Sequence, residues 1–308
     1  MFGSIDPVIL MASLMVASTP ILLAALGEMV VEKSGVLNLG VEGMMITGAV
    51  CGFIVAVETG SPLVGFVAAA AGGAALSMLF ALLTQVFLAT QVPSGLALTM
   101  VGVGLASLLG QNYVGIKPPS LPDLHIPVLE KIPALGPILF QHDIVVYFSL
   151  LSVLAVYLFL KATRAGLILR AVGENHVAAH ALGYKVRLVR VLAIAFGGAM
   201  AGIGGAYISL VRVPQWTDGI TAGIGWIALA IVVFASWRAG RVLIGAYLFG
   251  GITVLQLNLQ AAGAKVPVEL LSMSPFLATI VVLVIISARR HGALSAPAML
   301  GRIFHPSN

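Results

Sequence analysis

Charged side chains are scarce in this 308-residue chain, and their scarcity limits its possible classes. Asp, Glu, Lys and Arg make up 9% of the residues, while 60% are hydrophobic. A soluble domain carries roughly 25% charged residues. A chain with so few charges cannot cover its apolar surface in water, so lipid must form part of its surroundings. The composition therefore excludes a purely soluble fold.

Cysteine is almost absent as well. Cys51 is the one cysteine, so no disulfide can form within the chain, and its apolar run (AVCGFIVAV) predicts a small packing residue. The N-terminal MFGSIDP lacks the basic region of a cleaved signal peptide, and we expect the first span to remain as an uncleaved anchor. No basic segment carries the interleaved aromatic residues of a nucleic-acid stacking surface, so no nucleic-acid partner is expected.

Long apolar runs predict a helical bundle in a membrane. A helix needs about 20 apolar residues to cross a bilayer core, and a backbone in lipid must satisfy its own hydrogen bonds. The runs are not the short alternating segments of a barrel, so we predict an all-α polytopic membrane protein with one transmembrane domain over residues 1–308. About nine spans are expected, with eight or ten as alternatives. They lie at roughly 8–27, 40–57, 62–89, 94–111, 143–161, 188–210, 222–237, 241–260 and 271–288.

Basic residues predict the orientation of the bundle. Lys and Arg near span ends mark the cytoplasmic side, because they resist translocation. They cluster between 161 and 190, at 238–241 and in the tail, which places the N-terminus outside and the C-terminus in the cytoplasm. The loops 112–142 and 261–270 then lie outside. Six prolines disfavour a continuous helix in the first loop, and both loops could contact an extracytoplasmic partner or form a rigid cap.

Two segments interrupt the apolar pattern with glycines and polar residues. They are 34–46 (SGVLNLGVEGMMI) and 214–226 (PQWTDGITAGIGW), and each leads into a predicted span. The two spans run in opposite directions in this topology. Interrupted segments at corresponding places of two inverted halves point to a substrate path, so we predict an inverted repeat.

The interrupted segments supply the candidate pathway residues, which are Asn38, Glu42, Trp216 and Asp218. A charged carboxylate at a helix centre in a membrane costs about 2.5–3.5 kcal/mol on insertion scales. Glu42 could therefore line or gate the pathway, or it could cap a helix or pair with Lys33. Trp216, like Trp226, could sit at the membrane interface or stack on the substrate.

A short helix is predicted within 173–183 (GENHVAAHALG), beginning after Gly173 and closing at Gly183. So short a helix is marginal alone in water, so it must pack on something, and docking to a protein is the favoured interpretation. His176 and His180 share a face, but zinc sites want at least three protein ligands and only Glu174 is near, so no metal is expected. Elsewhere, the spacing Gly198–x3–Gly202 predicts close helix packing, either inside the subunit or at a subunit interface.

Two stretches carry a family resemblance. TPILLAALGEMVVEKSGVLNLGVEGMMITGAV, followed by LRAVGENHVAAHALGYKV, resembles the permease subunits of bacterial ABC importers. This binding-protein-dependent inner-membrane family serves branched-chain amino acids, ribose-type sugars and nucleosides. The wording GVLNLGVEGMM is most similar to the nucleoside or simple-sugar branch, and the resemblance covers nearly the whole chain.

The resemblance implies a cobalamin-importer-type helical core and an assembly. Permeases of this family work in pairs over two ATPase subunits, and an extracytoplasmic binding protein delivers solute to the outer loops. A cytoplasmic coupling helix fits a groove in the ATPase. In this chain that role falls on Glu174, Asn175, His176, Ala178, Ala179, Ala181, Leu182 and Gly183.

These observations favour a transport subunit that forms half of a path for a nucleoside or a simple sugar by alternating access. The second permease is expected to be a paralogue or a copy of this chain. No G-x-x-x-x-G-K-[ST] loop occurs, so the chain is not expected to be an enzyme or to hold a cofactor, and ATP and magnesium are expected on the partner ATPase.

Three alternatives stay open. The solute could be another small polar molecule, such as a branched-chain amino acid. An ion-coupled secondary transporter would need intramembrane ligands, for which Glu42 is the one strong carboxylate candidate, because Glu58, Asp143 and Asp218 fall near span ends. A membrane-embedded enzyme lacks support, since no H-E-x-x-H, G-x-S-x-G or paired-Asp pattern lies in the spans.

Overall fold

The computed structural model describes residues 7–125, 135–261 and 296–305, with scattered positions between 267 and 284. Its elements are, in chain order, α1 (Pro7–Lys33), α2 (Val41–Thr59), α3 (Pro62–Ala81), α4 (Gln91–Gly110), β1 (Asp123–His125), α5 (Leu135–Leu139), β2 (Gln141–Asp143), α6 (Ile144–Ala162), α7 (Arg164–Glu174), α8 (His176–Ala181), α9 (Val186–Tyr207), α10 (Ile224–Phe234) and α11 (Ala239–Ala261). A π-helical turn, Leu82–Val86, extends α3, and another, Ile208–Arg212, extends α9.

The predicted all-α polytopic class is confirmed. Within the described ranges, seven helices are long and apolar enough to cross a membrane, and they are α1, α2, α3, α4, α6, α9 and α11, some with their extensions. The central helices α1, α2 and α9 bury most of their residues, while α3, α4, α6 and α11 leave broad apolar faces exposed. Exposed apolar faces of this extent fit a chain that is surrounded by lipid or by another subunit.

The prediction of a full span at 222–237 is wrong. The helix there, α10, has eleven residues. It is therefore about 16 Å long at 1.5 Å per residue, against a hydrocarbon core of about 30 Å. The predicted first span also extends further than expected, since α1 continues to Lys33. The predicted span 271–288 lies mostly outside the described residues.

Small residues bring the central helices into close contact. On α9, Gly198 lies against Gly73 and Ser77 of α3, and Gly202 lies against Gly48 and Gly73. A Cβ atom at either position would overlap the facing backbone or side chain. The Gly198–x3–Gly202 pattern therefore packs helices inside the subunit, which is the first of the two alternatives that the spacing left open.

The bundle has two distinct ends. At the α8 end, α1 and α7 finish close together, since Gly173 lies against Lys33 and Gly35. At the opposite end, a hairpin of β1 and β2 pairs Asp123 with Asp143, within the predicted proline-rich loop. The rest of that loop, 126–134, and residues 262–266 of the second predicted outer loop lie outside the described residues.

Candidate functional site

The two interrupted segments meet at Glu42, in the first turn of α2. Its Oε1 accepts hydrogen bonds from the Thr221 hydroxyl and from the Gly223 N–H at 3.0 Å. Its Oε2 accepts from the Gly225 N–H at 2.7 Å. Gly223 and Gly225 belong to the start of α10, whose unpaired N–H groups and positive dipole end favour a carboxylate. Glu42 thus caps α10 across the bundle, and Lys33 is not among its partners in the described chain.

A close approach of backbones makes this contact possible. A Cβ atom at Gly225 would lie 2.6 Å from the Cα of Glu42 and 2.8 Å from its Oε2. On the other side of α2, a Cβ atom at Gly43 would lie 2.7 Å from the Cα of Thr99 in α4. Side chains at either glycine would push α2 away from its neighbours. Gly43 of the first interrupted segment and Gly225 of the second therefore both allow tight packing around Glu42.

Asn38 is fully buried and holds the turn that leads into α2. Its Oδ1 accepts from the Gly40 N–H at 2.9 Å, and its own backbone N–H donates to Glu28 Oε1 at 3.3 Å. This pattern is the Asx turn that asparagine forms readily outside helices. In this conformation the Asn38 side chain faces the protein interior, and a role in the pathway stays a prediction.

Residues 217–223 run without regular structure from Trp216 to Glu42. Trp216 lies 6.2 Å from Phe53, ring centre to ring centre. Phe53 and Glu42 are eleven positions apart on α2, which corresponds to about 16 Å along the helix. Thr217, Asp218, Gly219 and Ala222 are exposed in this segment, while Thr221 is buried against Glu42. Irregular backbone at membrane depth is tolerated where it is buried in protein or lines a water-filled cavity, so this partly exposed strip is the best candidate for a pathway surface.

Trp216 is buried in this conformation, and its place at the membrane interface or on the substrate stays a prediction. Its side chain is 1% exposed, and its ring packs on Phe53 and against Gly110 of α4. A tryptophan at the membrane interface or in a substrate site would present its ring to the surroundings. Here the ring instead fixes the start of the partly exposed strip 217–223 to α2 and α4. Trp226, by contrast, is 36% exposed.

Glu42 is joined by two further buried carboxylates in a helix that is long and apolar enough to cross a membrane. Glu28 and Glu32 both lie inside α1 and are 1% exposed. Glu32 accepts a hydrogen bond from the indole N–H of Trp237, while Glu28 Oε2 has no partner within the described residues. The two carboxylates are four positions apart and share a helix face. The sequence signal was present, since the apolar run continues after Glu28 to Val31.

The short helix α8 begins later than the sequence indicated. Gly173 and Glu174 end α7, and Asn175 is the N-cap of α8, with its Oδ1 accepting from the Ala178 N–H at 2.9 Å. The helix therefore has six residues rather than about nine. Its predicted close at Gly183 fits the structure, where Gly183 has φ +86° and the Tyr184 N–H donates to the Ala179 carbonyl. This is the Schellman ending, which leaves the loop tip in one defined conformation.

The faces of α8 differ in exposure. His176 and Ala179 are buried, so of the predicted docking residues these two turn toward the protein. Exposed on the other face are Val177 and Leu182, at 60% and 77%, together with Ala178 and Ala181. Val177 was not among the predicted docking residues, because the sequence gives the period of a helix but not which of its faces the protein covers. Exposed apolar side chains on a rigid, capped loop form a surface suited to a protein partner.

His176 is held by Arg190 of α9. The Arg190 Nη2 lies 3.1 Å from His176 Nδ1. Arginine can only donate, so Nδ1 must accept and the imidazole is neutral with its proton on Nε2. Burial, followed by the positive charges of Arg190 and Arg302, lowers the pKa of His176 below its ordinary value of 6.5. The described residues contain no group of three His, Cys, Asp or Glu side chains that could hold a metal ion.

A polar recess lies at the opposite end of the bundle. It has a volume of about 480 Å³ and is lined in part by Asp123, Gln141, Arg212 and Asn258. The hairpin beside it is fixed to the bundle by Asp143, which caps α6 and accepts a hydrogen bond from the Tyr207 hydroxyl. This end therefore offers charged and amide groups on a fixed surface.

Several known proteins that this chain is similar to are named as transporter permeases. Residues 10–286 match the family model of the branched-chain amino acid transport system / permease component. TsgC13 of Haloferax volcanii, an ABC transporter permease named for glucose, is 40% identical, with 87% of this chain and 88% of the relative covered. The nucleoside permease NupC of Lactococcus lactis and the guanosine permease NupQ of Bacillus subtilis are each 31% identical, with 89% and 91% covered. No solved structure matches the chain significantly.

Proposed function

The chain belongs to the branched-chain amino acid transport system / permease component family, and we propose that it is the membrane subunit of an ATP-driven importer for a nucleoside or a simple sugar. The structural observation that carries this proposal is α8, a capped loop with exposed Val177 and Leu182. A membrane protein that presents such a surface beside basic residues is suited to receive a cytosolic partner. The relatives' names supply the two solute classes.

The orientation follows from the α8 end. Arg164, Arg170, Lys185 and Arg187 are exposed there. Basic residues near span ends favour the cytoplasmic side. In this proposal α8 and the segment 296–305 therefore lie in the cytoplasm, and the N-terminus lies outside. The predicted helix 271–288 would then complete nine segments in a core of the cobalamin-importer type, with the short α10 as one of them. The membrane is the inner membrane of the cell.

Coupling would enter through α8. In this proposal a partner ATPase, which holds ATP and magnesium, receives Val177, Ala178, Ala181 and Leu182 in a groove and moves them when it closes. His176 and Ala179, which are buried, would keep α8 attached to the permease. An ATPase can shift the permease only if it binds its two conformations unequally, so the contact must change between them.

The solute path would run along the exposed residues of the strip 217–223, which include Thr217, Asp218 and Gly219. A second permease, either a copy or a paralogue, would supply the other wall of the path, because one subunit leaves this strip uncovered. Asp218 and Thr217 are the polar groups placed to meet a hydroxylated solute. At the outer end, the β1–β2 hairpin and the polar recess beside it are the proposed contact for a solute-binding protein.

A second candidate function is an ion-coupled transporter, because α1 carries the buried carboxylates Glu28 and Glu32. Intramembrane carboxylates often bind coupling ions or protons. The family match weighs against this candidate. Reconstitution separates the two: uptake driven by a cation gradient without an ATPase would support the second, and uptake only with ATP and the ATPase would support the first.

Substitution of Leu182→Asp tests the docking contact in the reconstituted assembly. A charge in the apolar contact should lower solute uptake about tenfold or more, because burying an unpaired carboxylate costs more than the roughly 1.4 kcal/mol that corresponds to a tenfold loss of binding. Leu167→Asp is the matched control, because Leu167 is 59% exposed on the neighbouring helix α7. Equal uptake in both variants and the unmodified chain would contradict docking at α8.

A further inference from the structure

The C-terminal segment 296–305 lies across the α8 end of the bundle. It contacts the end of α7 and the first interrupted segment. The Met299 N–H donates to the Gly173 carbonyl at 2.9 Å, and the Gly301 N–H donates to the Gly35 carbonyl at 3.2 Å. The Ala298 N–H lies 3.4 Å from Glu174 Oε2. These contacts join the end of α7 to the turn that follows α1. We call residues 296–305 the C-terminal brace.

Phe304 of the brace supports the buried face of α8. It is 5% exposed, and its ring lies edge-on to His176 at 5.2 Å and to His180 at 5.3 Å, between ring centres. With Val172, Ala179 and Val186 it forms a small apolar cluster that is separate from the main core of the bundle. A six-residue helix is unstable alone in water. The brace therefore supplies packing that the membrane bundle itself does not give to α8.

Arg190 ties the same three segments together with hydrogen bonds. Its fully buried guanidinium donates to the Ser34 carbonyl at 3.3 Å and to the Arg302 carbonyl at 3.1 Å, besides its bond to His176. Gln91, at the start of α4, repeats the pattern: it accepts from the Leu37 N–H at 2.7 Å and reaches the Arg302 carbonyl at 3.5 Å. All three acceptors around Arg190 are neutral, so each must stay in place to compensate the buried charge.

These contacts form a continuous route from α8 to the solute path. α8 rests on Phe304, the brace is bonded to Gly35, and the turn that follows contains Asn38 and leads to Glu42. Glu42 in turn caps α10 at the end of the partly exposed strip 217–223. Each step is a packed ring, a hydrogen bond or the covalent chain itself, so a displacement of α8 must either move this route or break it.

We propose that the C-terminal brace passes the movement of α8 to the first interrupted segment, 34–46, with Phe304 and Arg190 as positioning residues for coupling. The proposal rests on the proposed function for what moves α8. The claim that the brace holds α8 does not depend on the proposed function, because it can be measured on the subunit alone. The two claims can therefore fail separately.

The first measurement is thiol accessibility under the brace, in a chain whose one native cysteine is removed by Cys51→Ala. Ala179→Cys places a thiol on the face that Phe304 covers. Adding Phe304→Ala should speed its labelling by a water-soluble maleimide at least about tenfold, because truncating a buried Phe removes most of its packing. Phe304→Leu should restore slow labelling in part. His305→Ala, next to Phe304 but exposed, is the matched control and should have no effect.

The second measurement is the number of solute molecules imported per ATP hydrolysed by the reconstituted assembly. Phe304→Ala should lower this ratio severalfold while the permease still co-purifies with the ATPase, and Phe304→Leu should recover part of it. Unchanged labelling would overturn the holding claim, and faster labelling with an unchanged ratio would overturn the coupling claim. If the unmodified assembly shows no ATP-driven uptake, the proposed function is refuted, while the labelling result still decides whether the brace holds α8.

Discussion

Replacement of Glu42 by glutamine tests the junction between the two interrupted segments. Glutamine has nearly the shape of glutamate but one acceptor oxygen instead of two and no charge. Its carbonyl oxygen can take the position of Oε1 and keep the bonds from Thr221 and Gly223. Its NH2 group must then take the position of Oε2, where it faces the Gly225 N–H. Two donors face each other there, so one buried hydrogen bond is lost.

The expected loss of stability follows from these contacts. A buried N–H left without an acceptor costs about 1–3 kcal/mol. Removing the negative charge from the N-terminal end of α10 costs about 0.3–1 kcal/mol more. The easier burial of a neutral side chain offsets part of this. We expect a net loss of about 2 kcal/mol, or about 4 °C in the midpoint of thermal unfolding.

The assay measures thermal unfolding of the purified subunit in detergent. Gel filtration after heating gives the fraction that stays soluble at each temperature. Glu58→Gln is the matched control, because Glu58 accepts one hydrogen bond at the surface, from the Tyr113 hydroxyl, and glutamine can still accept it. The control should unfold within about 1 °C of the unmodified chain. A Glu42→Gln variant as stable as the control would refute the inference that Glu42 joins the two segments.

Two further predictions concern the strip and the histidine. In the Cys51→Ala chain, a thiol introduced by Asp218→Cys should react with a membrane-impermeant maleimide, because this position is exposed, while Ala228→Cys in the buried part of α10 should not; equal rates would contradict a water-accessible strip. The pKa of His176 is lowered in the folded protein, so protonation of this histidine disfavours the packed position of α8. That packed position is therefore fully stable above about pH 6.5 and loses stability as the pH falls through the lowered pKa. Labelling of Ala179→Cys, normalised to the denatured chain, should therefore rise between pH 7.5 and 5.5, and His176→Gln should abolish that rise; a rise of the same size in His176→Gln would exclude this histidine as its cause.

The membrane-spanning helices were predictable because their apolar runs alone decide them. The exact ends of α10 were not, since the predicted span 222–237 begins two residues before this helix and ends three residues after it. Ser236 and Trp237 adopt positive φ angles of 50° and 54°, which non-glycine residues rarely do. The hydrogen bond from Trp237 to the buried Glu32 is the contact that accompanies this turn. This tertiary contact, between positions about two hundred residues apart, is what the sequence could not reveal.

The candidate site was predictable in its segments but not in its contacts. The glycines and polar residues identified both interrupted segments, yet only the fold shows that Glu42 joins them. Asn175 could have been recognised as an N-cap from its residue type, which would have placed the start of α8 correctly. Phe304 gave no signal, since its role depends on rings that are more than a hundred positions away in the chain.

Cross-linking from α8 tests the central claim most directly. A thiol introduced by Leu182→Cys in the Cys51→Ala chain, treated with a short bifunctional reagent in membranes that hold the complete assembly, should join this chain to the ATPase. The yield should change when ATP is added, because the contact must differ between the two conformations. A cross-link to an extracytoplasmic protein instead, or labelling of that thiol from outside intact cells, would contradict the account.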